Sequence, residues 1–183
     1  MRKILVLFFA LGLMSTAAQA QFGVRAGLSS ANFSDTDFNS NMGFHGGLYY
    51  RIDAAFLSIE PGIQYAQKGY ETEAASMGGE ITETMNYIDV PVLVRLNFLP
   101  AINVFAGPQA SLLVSRKREE GGDTQTSTEP IKGYDIGAVV GIGVNLPAGF
   151  NIQGSYDLGL SSLNYYDVDV KNRIFKVSLG YDF

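Results

Sequence analysis

From residue 22 to the end of the chain, apolar and polar residues alternate with a period of two. A β-strand puts successive side chains on opposite faces, so this pattern predicts strands with one apolar and one polar face. In the first run Phe22, Val24, Ala26 and Leu28 alternate with Gly23, Arg25, Gly27 and Ser29. Seven further runs follow, at residues 44–52, 56–67, 87–98, 104–114, 135–145, 150–160 and 175–183. The fourth is the clearest of the early ones: Ile88, Val90, Val92, Val94, Leu96 and Phe98 alternate with Tyr87, Asp89, Pro91, Leu93, Arg95 and Asn97. A helical reading fails on the many glycines that sit within the runs and would each weaken a helix interior.

Each run has roughly the ten residues that a tilted strand needs to cross a bilayer core. The connections alternate in length. Turns near Asp53-Ala54, Leu99-Pro100 and Pro147-Ala148-Gly149 are short, whereas residues 34–41, 69–83, 116–131 and 161–172 form long polar segments. Short turns at one end and long loops at the other, with an even strand count, predict an all-β, eight-stranded antiparallel up-and-down transmembrane β-barrel. A soluble lipocalin-type barrel has the same strand count but turns its apolar face inward. The polar faces carry Gly, Ser and Asp, and the apolar faces carry Val, Ile, Leu, Phe and Tyr. A narrow interior has to be filled by modest side chains, so the bulky face is expected outside, against lipid.

The first twenty residues read as a signal peptide. Arg2 and Lys3 precede an apolar stretch at residues 4–14, and Ala18-Gln19-Ala20 offers a cleavage site. Residues 21–183 are then the barrel domain. The apolar stretch is too short for a spanning helix, and nothing after residue 20 is apolar enough for one. There is no cysteine, which excludes lipid attachment through cysteine, disulfides and thiolate metal sites. Removing Arg2 and Lys3 takes the formal charge from −5 to −7, and that acidity argues against nucleic acid as a partner.

Several segments resemble the outer-membrane β-barrel proteins of Bacteroidota called PorT-like or porin-family, which are OmpA/OmpX-like barrels. Tyr87-Ile88-Asp89-Val90-Pro91-Val92-Leu93 resembles the aromatic-x-acid-aliphatic-Pro-x-Leu strand of that family. Phe105-Ala106-Gly107-Pro108 resembles its following strand, and Asp135-Ile136-Gly137 through Gly141-Ile142-Gly143 its Gly-rich strand. The closing Tyr181-Asp182-Phe183 resembles the aromatic carboxyl terminus by which the barrel insertion machinery recognises its clients. The resemblance implies that Tyr181 and Phe183 act as an assembly signal. For function it implies little, because one branch serves protein secretion and most members have no assigned activity.

Three groups of residues are candidates for a role. Arg25, Glu60 and Arg95 fall on polar faces at similar depth and are expected to form a polar network in the lumen. Lys68, Arg116, Lys117, Arg118, Lys132 and Arg173 lie near strand ends and are expected to form a basic collar for lipopolysaccharide phosphates. His45, the one histidine, is expected to be a hydrogen-bonded lumen residue. Asp35-Thr36-Asp37-Phe38-Asn39 imitates the start of a calcium loop but lacks the glycine and the bidentate glutamate. No catalytic, cofactor or metal site is expected.

The chain therefore reads as a non-enzymatic protein of the bacterial outer membrane with both termini periplasmic. It is expected to act through extracellular loops or wall contacts in envelope structure, in adhesion or in a secretion apparatus. Its expected partners are outer-membrane lipid and lipopolysaccharide, the insertion machinery and an envelope or secretion protein. The alternatives are a narrow porin-like channel and a barrel enzyme acting on lipid or peptide.

Overall fold

In the computed structural model the backbone is described for residues 19–33, 39–54, 56–74, 79–99, 101–120, 123–127, 134–160, 163–165, 168–170 and 172–183. Side chains are described for residues 21–30, 42–54, 56–68, 84–99, 101–117, 134–160 and 173–183. The strands are β1 (Gln19–Phe33), β2 (Asn39–Ala54), β3 (Leu57–Ala74), β4 (Gly79–Asn97), β5 (Ile102–Glu120), β6 (Asp123–Ser127), β7 (Tyr134–Asn145), β8 (Phe150–Gly159), β9 (Leu163–Tyr165), β10 (Val168–Val170) and β11 (Asn172–Asp182). Eight of them, β1, β2, β3, β4, β5, β7, β8 and β11, form the wall. Every wall strand pairs antiparallel with two others, and β1 pairs with β11 to close the sheet on itself. The eight expected strands are all present.

The outer face is the apolar one. Leu28, Phe44, Ile63, Ile142, Phe175 and Leu179 are all more than half exposed, while Ser58, Glu60, Asp89 and Arg95 are buried inside the wall. An apolar exterior and a polar interior invert a soluble protein, and they match a barrel solvated by lipid. One part of the size argument does not hold. The lumen also takes Tyr49, Tyr87, Leu93, Phe105, Val139, Met85 and Ile174, all buried. Tyr49 and Phe105 fit because their direct register partners are Gly23 and Gly141, where even a Cβ would collide with the ring. Ala66 plays a similar part opposite Tyr87. Small residues on one strand thus make room for large rings from the next.

Neighbouring strands are offset. A walk round the wall leaves β1 at Gly23, passes Tyr49, Gly62, Pro91, Gln109, Gly137 and Gly159, and re-enters β1 at Phe33, about ten residues on. Such a stagger requires tilted strands and fixes which lumen residues share a level.

The short turns fall where expected. Leu99 and Ile102 close one through reciprocal backbone bonds, and Leu146 and Phe150 close another around the 3-10 turn Pro147–Gly149. In that turn Ala148 and Gly149 both take positive φ, 61° and 81°, a handedness that suits the twist of the flanking strands. The expected long loops are in part strand. Residues 69–74 and 79–84 continue the β3–β4 ladder, residues 116–120 pair with β6, and β9 pairs with β10. Tyr70, Thr72, Ile81, Thr82 and Thr84 supply β-forming residues there without apolar alternation, because beyond the bilayer neither face has to be apolar.

Residues 1–18 of the expected signal peptide lie outside the described residues. Gln19 and Ala20 pair with Asp53 and Ile52, so β1 begins two residues before the expected mature terminus. Asp35, Thr36, Asp37 and Phe38 of the calcium-like segment also lie outside the described residues.

A closed wall of this kind resists detergent unfolding. Protein refolded in detergent is expected to run at a different apparent mass on gels before and after boiling, with β-sheet circular dichroism. Identical migration together with a helical spectrum would overturn the barrel.

Candidate functional site

Two charged layers and an apolar belt fill the lumen. The layer nearer the short turns is organised around Glu60 of β3, which is 1 % exposed. Arg95 of β4 donates to both its oxygens, Nε to Oε2 at 2.7 Å and Nη2 to Oε1 at 2.8 Å. Arg25 of β1 donates from Nη1 at 2.9 Å, and Arg51 of β2 donates from Nε at 3.0 Å. Arg95 also reaches Asn103 and Gln153, and Arg51 reaches Asp182 of the last strand at 3.0 Å. The expected meeting of Arg25, Glu60 and Arg95 is present. Arg51 and Asp182 complete it, so three guanidinium groups share two carboxylates. Arg25 also stacks on Tyr49, 4.1 Å from the ring centroid, and Arg95 on Phe105 at 4.3 Å.

Next along the lumen come Leu93, Phe105 and Val139, one buried apolar cluster. Beyond them is the second charged layer. Lys68 donates to Asp89 at 2.9 Å and to Ser111, and Lys176 pairs with Asp157 at 2.6 Å and with Asp89 at 3.4 Å. His45 sits between the layers with its Nε2 2.8 Å from Ser178 Oγ, the hydrogen-bonded lumen position expected for it.

At the short-turn end the lumen opens into a cavity of about 480 Å³ lined by Arg51, Asp53, Arg95, Asn97, Asn145 and Asp182, among others. Arg51 and Arg95 of the Glu60 layer belong to its lining.

The expected basic collar is only partly assembled. Lys117 and Arg173 are exposed on the outer face. Lys68 is instead buried in the lumen on Asp89, because it has the same strand parity as Glu60 and Gln64. Arg116 is half-buried on the lumen side. A register shift beside Tyr87 pairs Ser115 with Asn86 and Arg116 with the buried Met85, which reverses the parity of β5 beyond that point. The side chains of Arg118 and Lys132 lie outside the described residues. Tyr181 and Phe183 lie on the outer face, where Tyr181 makes edge contacts with Phe150 and Phe183 at 5.1 Å and Phe183 stacks on Phe22 at 6.0 Å.

Sequence reasoning missed Arg51, Tyr49, Asp89, Asp157, Lys176 and Asp182 as site residues. All stand on polar-face positions of the alternation, and that signal could have found them. Among the described residues no group of His, Cys, Asp and Glu is arranged to hold a metal ion.

Removing Glu60 leaves three guanidinium groups with Asp182 as their remaining carboxylate. Glu60→Ala is expected to destabilise the barrel by about 3–5 kcal/mol, less where water enters. A double-mutant cycle with Arg95→Ala, read by unfolding, is expected to be strongly non-additive. Additive effects would mean that the two charges are separately hydrated.

Comparison with known proteins agrees with this architecture. The crystal structure of Ail, the attachment invasion locus protein of Yersinia pestis, matches with a TM-score of 0.59 at 18% identity over 92% of this chain and 100% of that one. Neisserial surface protein A matches with a TM-score of 0.63 at 15% identity, covering 90% and 99%. A major outer membrane protein from Thermus thermophilus gives 0.54 at 14% identity, covering 90% and 99%. At such identities the likeness concerns the fold. No curated protein sequence matches significantly. The model of the outer membrane protein beta-barrel domain matches residues 15–165, and with a closed eight-stranded wall around a polar lumen the chain belongs to that family.

Proposed function

We propose that the protein is a non-enzymatic outer-membrane barrel that acts at its long-loop end, in adhesion or as a docking element of an envelope or secretion assembly. The observation that carries this reading is the sealed lumen. Ion pairs on Glu60, the Leu93–Phe105–Val139 cluster and ion pairs on Asp89 and Asp157 stand in series, which disfavours a channel. The vestibule at the short-turn end is lined on its inner side by Arg51 and Arg95, both held on Glu60. Function then falls to the surfaces, and the most developed of these lies beyond the long-loop rim. There β3, β4, β5 and β6 continue as a four-stranded sheet in which β6, among the described residues, pairs only with β5. An edge strand of this sort can accept an added strand from a partner.

In this reading a cleaved signal peptide at residues 1–20 precedes the barrel and both termini face the periplasm. The aromatic Tyr181 and Phe183 engage the insertion machinery. Lys117 and Arg173 contact lipopolysaccharide phosphates at the outer rim. Ail, which this chain resembles in fold, has been crystallised in complex with the heparin analogue sucrose octasulfate, and a polyanion contact of this chain is proposed by that likeness. Membership in the PorT-like branch of Bacteroidota rests on the strand motifs around Asp89 and Pro108.

Three measurements test this. In planar bilayers the refolded protein is expected to show no steady conductance; stable single-channel steps would favour the channel reading. Lys117→Glu combined with Arg173→Glu is expected to abolish any extra thermal stability gained in lipopolysaccharide vesicles over phosphatidylcholine vesicles, while leaving the latter value unchanged. Deleting Phe183, or replacing it by a charged residue, is expected to reduce assembly in cells more than it weakens refolded protein. Equal losses in both settings would reduce Phe183 to a packing residue.

A further inference from the structure

The closing seam between β1 and β11 joins the two strands farthest apart in sequence, and two side chains of β2 reach across it. Tyr49 lies over Gly23 of β1, its register partner, and donates its hydroxyl to Asp182 Oδ1 of β11 at 2.6 Å. Gly23 is also the register partner of Asp182, so the tyrosine spans the strand between its own and the last. The arrangement repeats four residues along. His45 lies over Gly27, its register partner, and its Nε2 is 2.8 Å from Ser178 Oγ, with Ser178 in turn opposite Gly27. At the first rung a Cβ on Gly23 would run into the Tyr49 ring, and at the second a Cβ on Gly27 would meet the backbone of Val177 in β11 first and the His45 ring next. The first rung has additional ties: Arg51 bonds Asp182 at 3.0 Å, and Asn151 of β8 donates to the Tyr49 hydroxyl at 2.9 Å and to Asp182 at 3.1 Å.

We infer that these two rungs are a clasp that commits the barrel to closure, with Asp182 as its principal acceptor. The wall strands other than β1 and β11 that neighbour each other in sequence meet across short chain segments. The β1–β11 ladder closes a loop of nearly the whole domain, so its entropic cost is the largest and its contacts form late. Backbone pairing alone would leave that seam no stronger than any other. The clasp ties β2, already joined to β1 as a hairpin, directly to β11, so the docking of the last strand is reinforced from inside the lumen. Only glycine in β1 permits it, since a side chain at residue 23 would displace the Tyr49 ring and one at residue 27 would push against the β11 backbone at Val177 as well as the His45 ring. The carboxyl-terminal segment then has two faces with separate tasks. Tyr181 and Phe183 lie outside, and Asp182 lies inside as a positioning residue for the seam. The inference rests on the fold and not on the proposed activity of the long-loop end.

The chain has no cysteine, so closure can be timed by engineered cross-links during refolding in detergent. Ala26→Cys with Leu179→Cys reports the seam, and Val144→Cys with Ile152→Cys reports the β7–β8 hairpin, each pair being register partners. Tyr49→Phe removes one hydroxyl and is expected to slow the seam cross-link about fivefold, the rate equivalent of about 1 kcal/mol, while the hairpin cross-link keeps its rate. Ser178→Ala and Gly23→Ala are expected to act on the seam in the same selective way. Lys68→Met weakens the other charged layer and is expected to leave the ratio of the two rates unchanged. The clasp is overturned if Tyr49→Phe and Ser178→Ala leave the seam rate alone, if both cross-links slow together, or if Lys68→Met slows the seam selectively.

Discussion

A strand edge inside a bilayer has no water to bond with, and this constraint governs the rest of the molecule. Each unpaired backbone group in hydrocarbon costs several kcal/mol, so the sheet has to close on itself. Closure of eight strands demands a tilt and a stagger, and the offset of about ten residues between Gly23 and Phe33 is that stagger. The stagger decides which inward side chains stand at one level. Arg25, Arg51 and Arg95 come from β1, β2 and β4 and from quite different distances along the chain, yet all converge on the carboxylate of Glu60 in β3.

The alternation alone carried the fold a long way. It placed all eight wall strands and set Glu60, Arg95 and His45 on their polar faces, while the size of the side chains decided which face points outward. Alternation has two limits here. It says that a residue points inward but not whom it meets, because level depends on the stagger, which period two does not encode. Asp182 and Lys176 were visible as inward residues of the last run, yet their partners Arg51 and Asp157 lie on β2 and β8. Alternation also fails wherever a bulge intervenes. The register shift in β5 turned Arg116 toward the lumen against its count. Lys68 is a different case: its parity already placed it inside, and its nearness to a polar segment gave the wrong expectation of a collar residue. The strands beyond the rim were unreadable for a third reason, since their residues carry no apolar alternation.

The glycines carry a second message. In a soluble sheet an inward glycine usually weakens packing, but here Gly23, Gly27 and Gly141 are sockets for Tyr49, His45 and Phe105. A narrow barrel has room for large lumen side chains only if the strand beneath them is bare. This explains how so small an interior holds three arginines and two rings at its lower level. Arg25 and Arg95 then use those rings as apolar platforms, which limits the desolvation that their charges suffer.

The lumen is built in layers of unlike character, and that order has a consequence for where function can reside. Hydrogen-bonded ion pairs in an enclosed space are hard to separate, because each partner would be left as an uncompensated charge. Loosening one layer still leaves the apolar cluster of Leu93, Phe105 and Val139 and a second set of ion pairs beyond it. A solute entering the vestibule would meet two ion-pair layers with an apolar cluster between them, and no single apolar group or ion could displace both kinds. The lumen therefore behaves as a core, a polar counterpart of the apolar core in a soluble domain. The proposed role at the long-loop end matches where the wall reaches furthest, since there β3, β4 and β5 run on and β6, among the described residues, pairs only with β5.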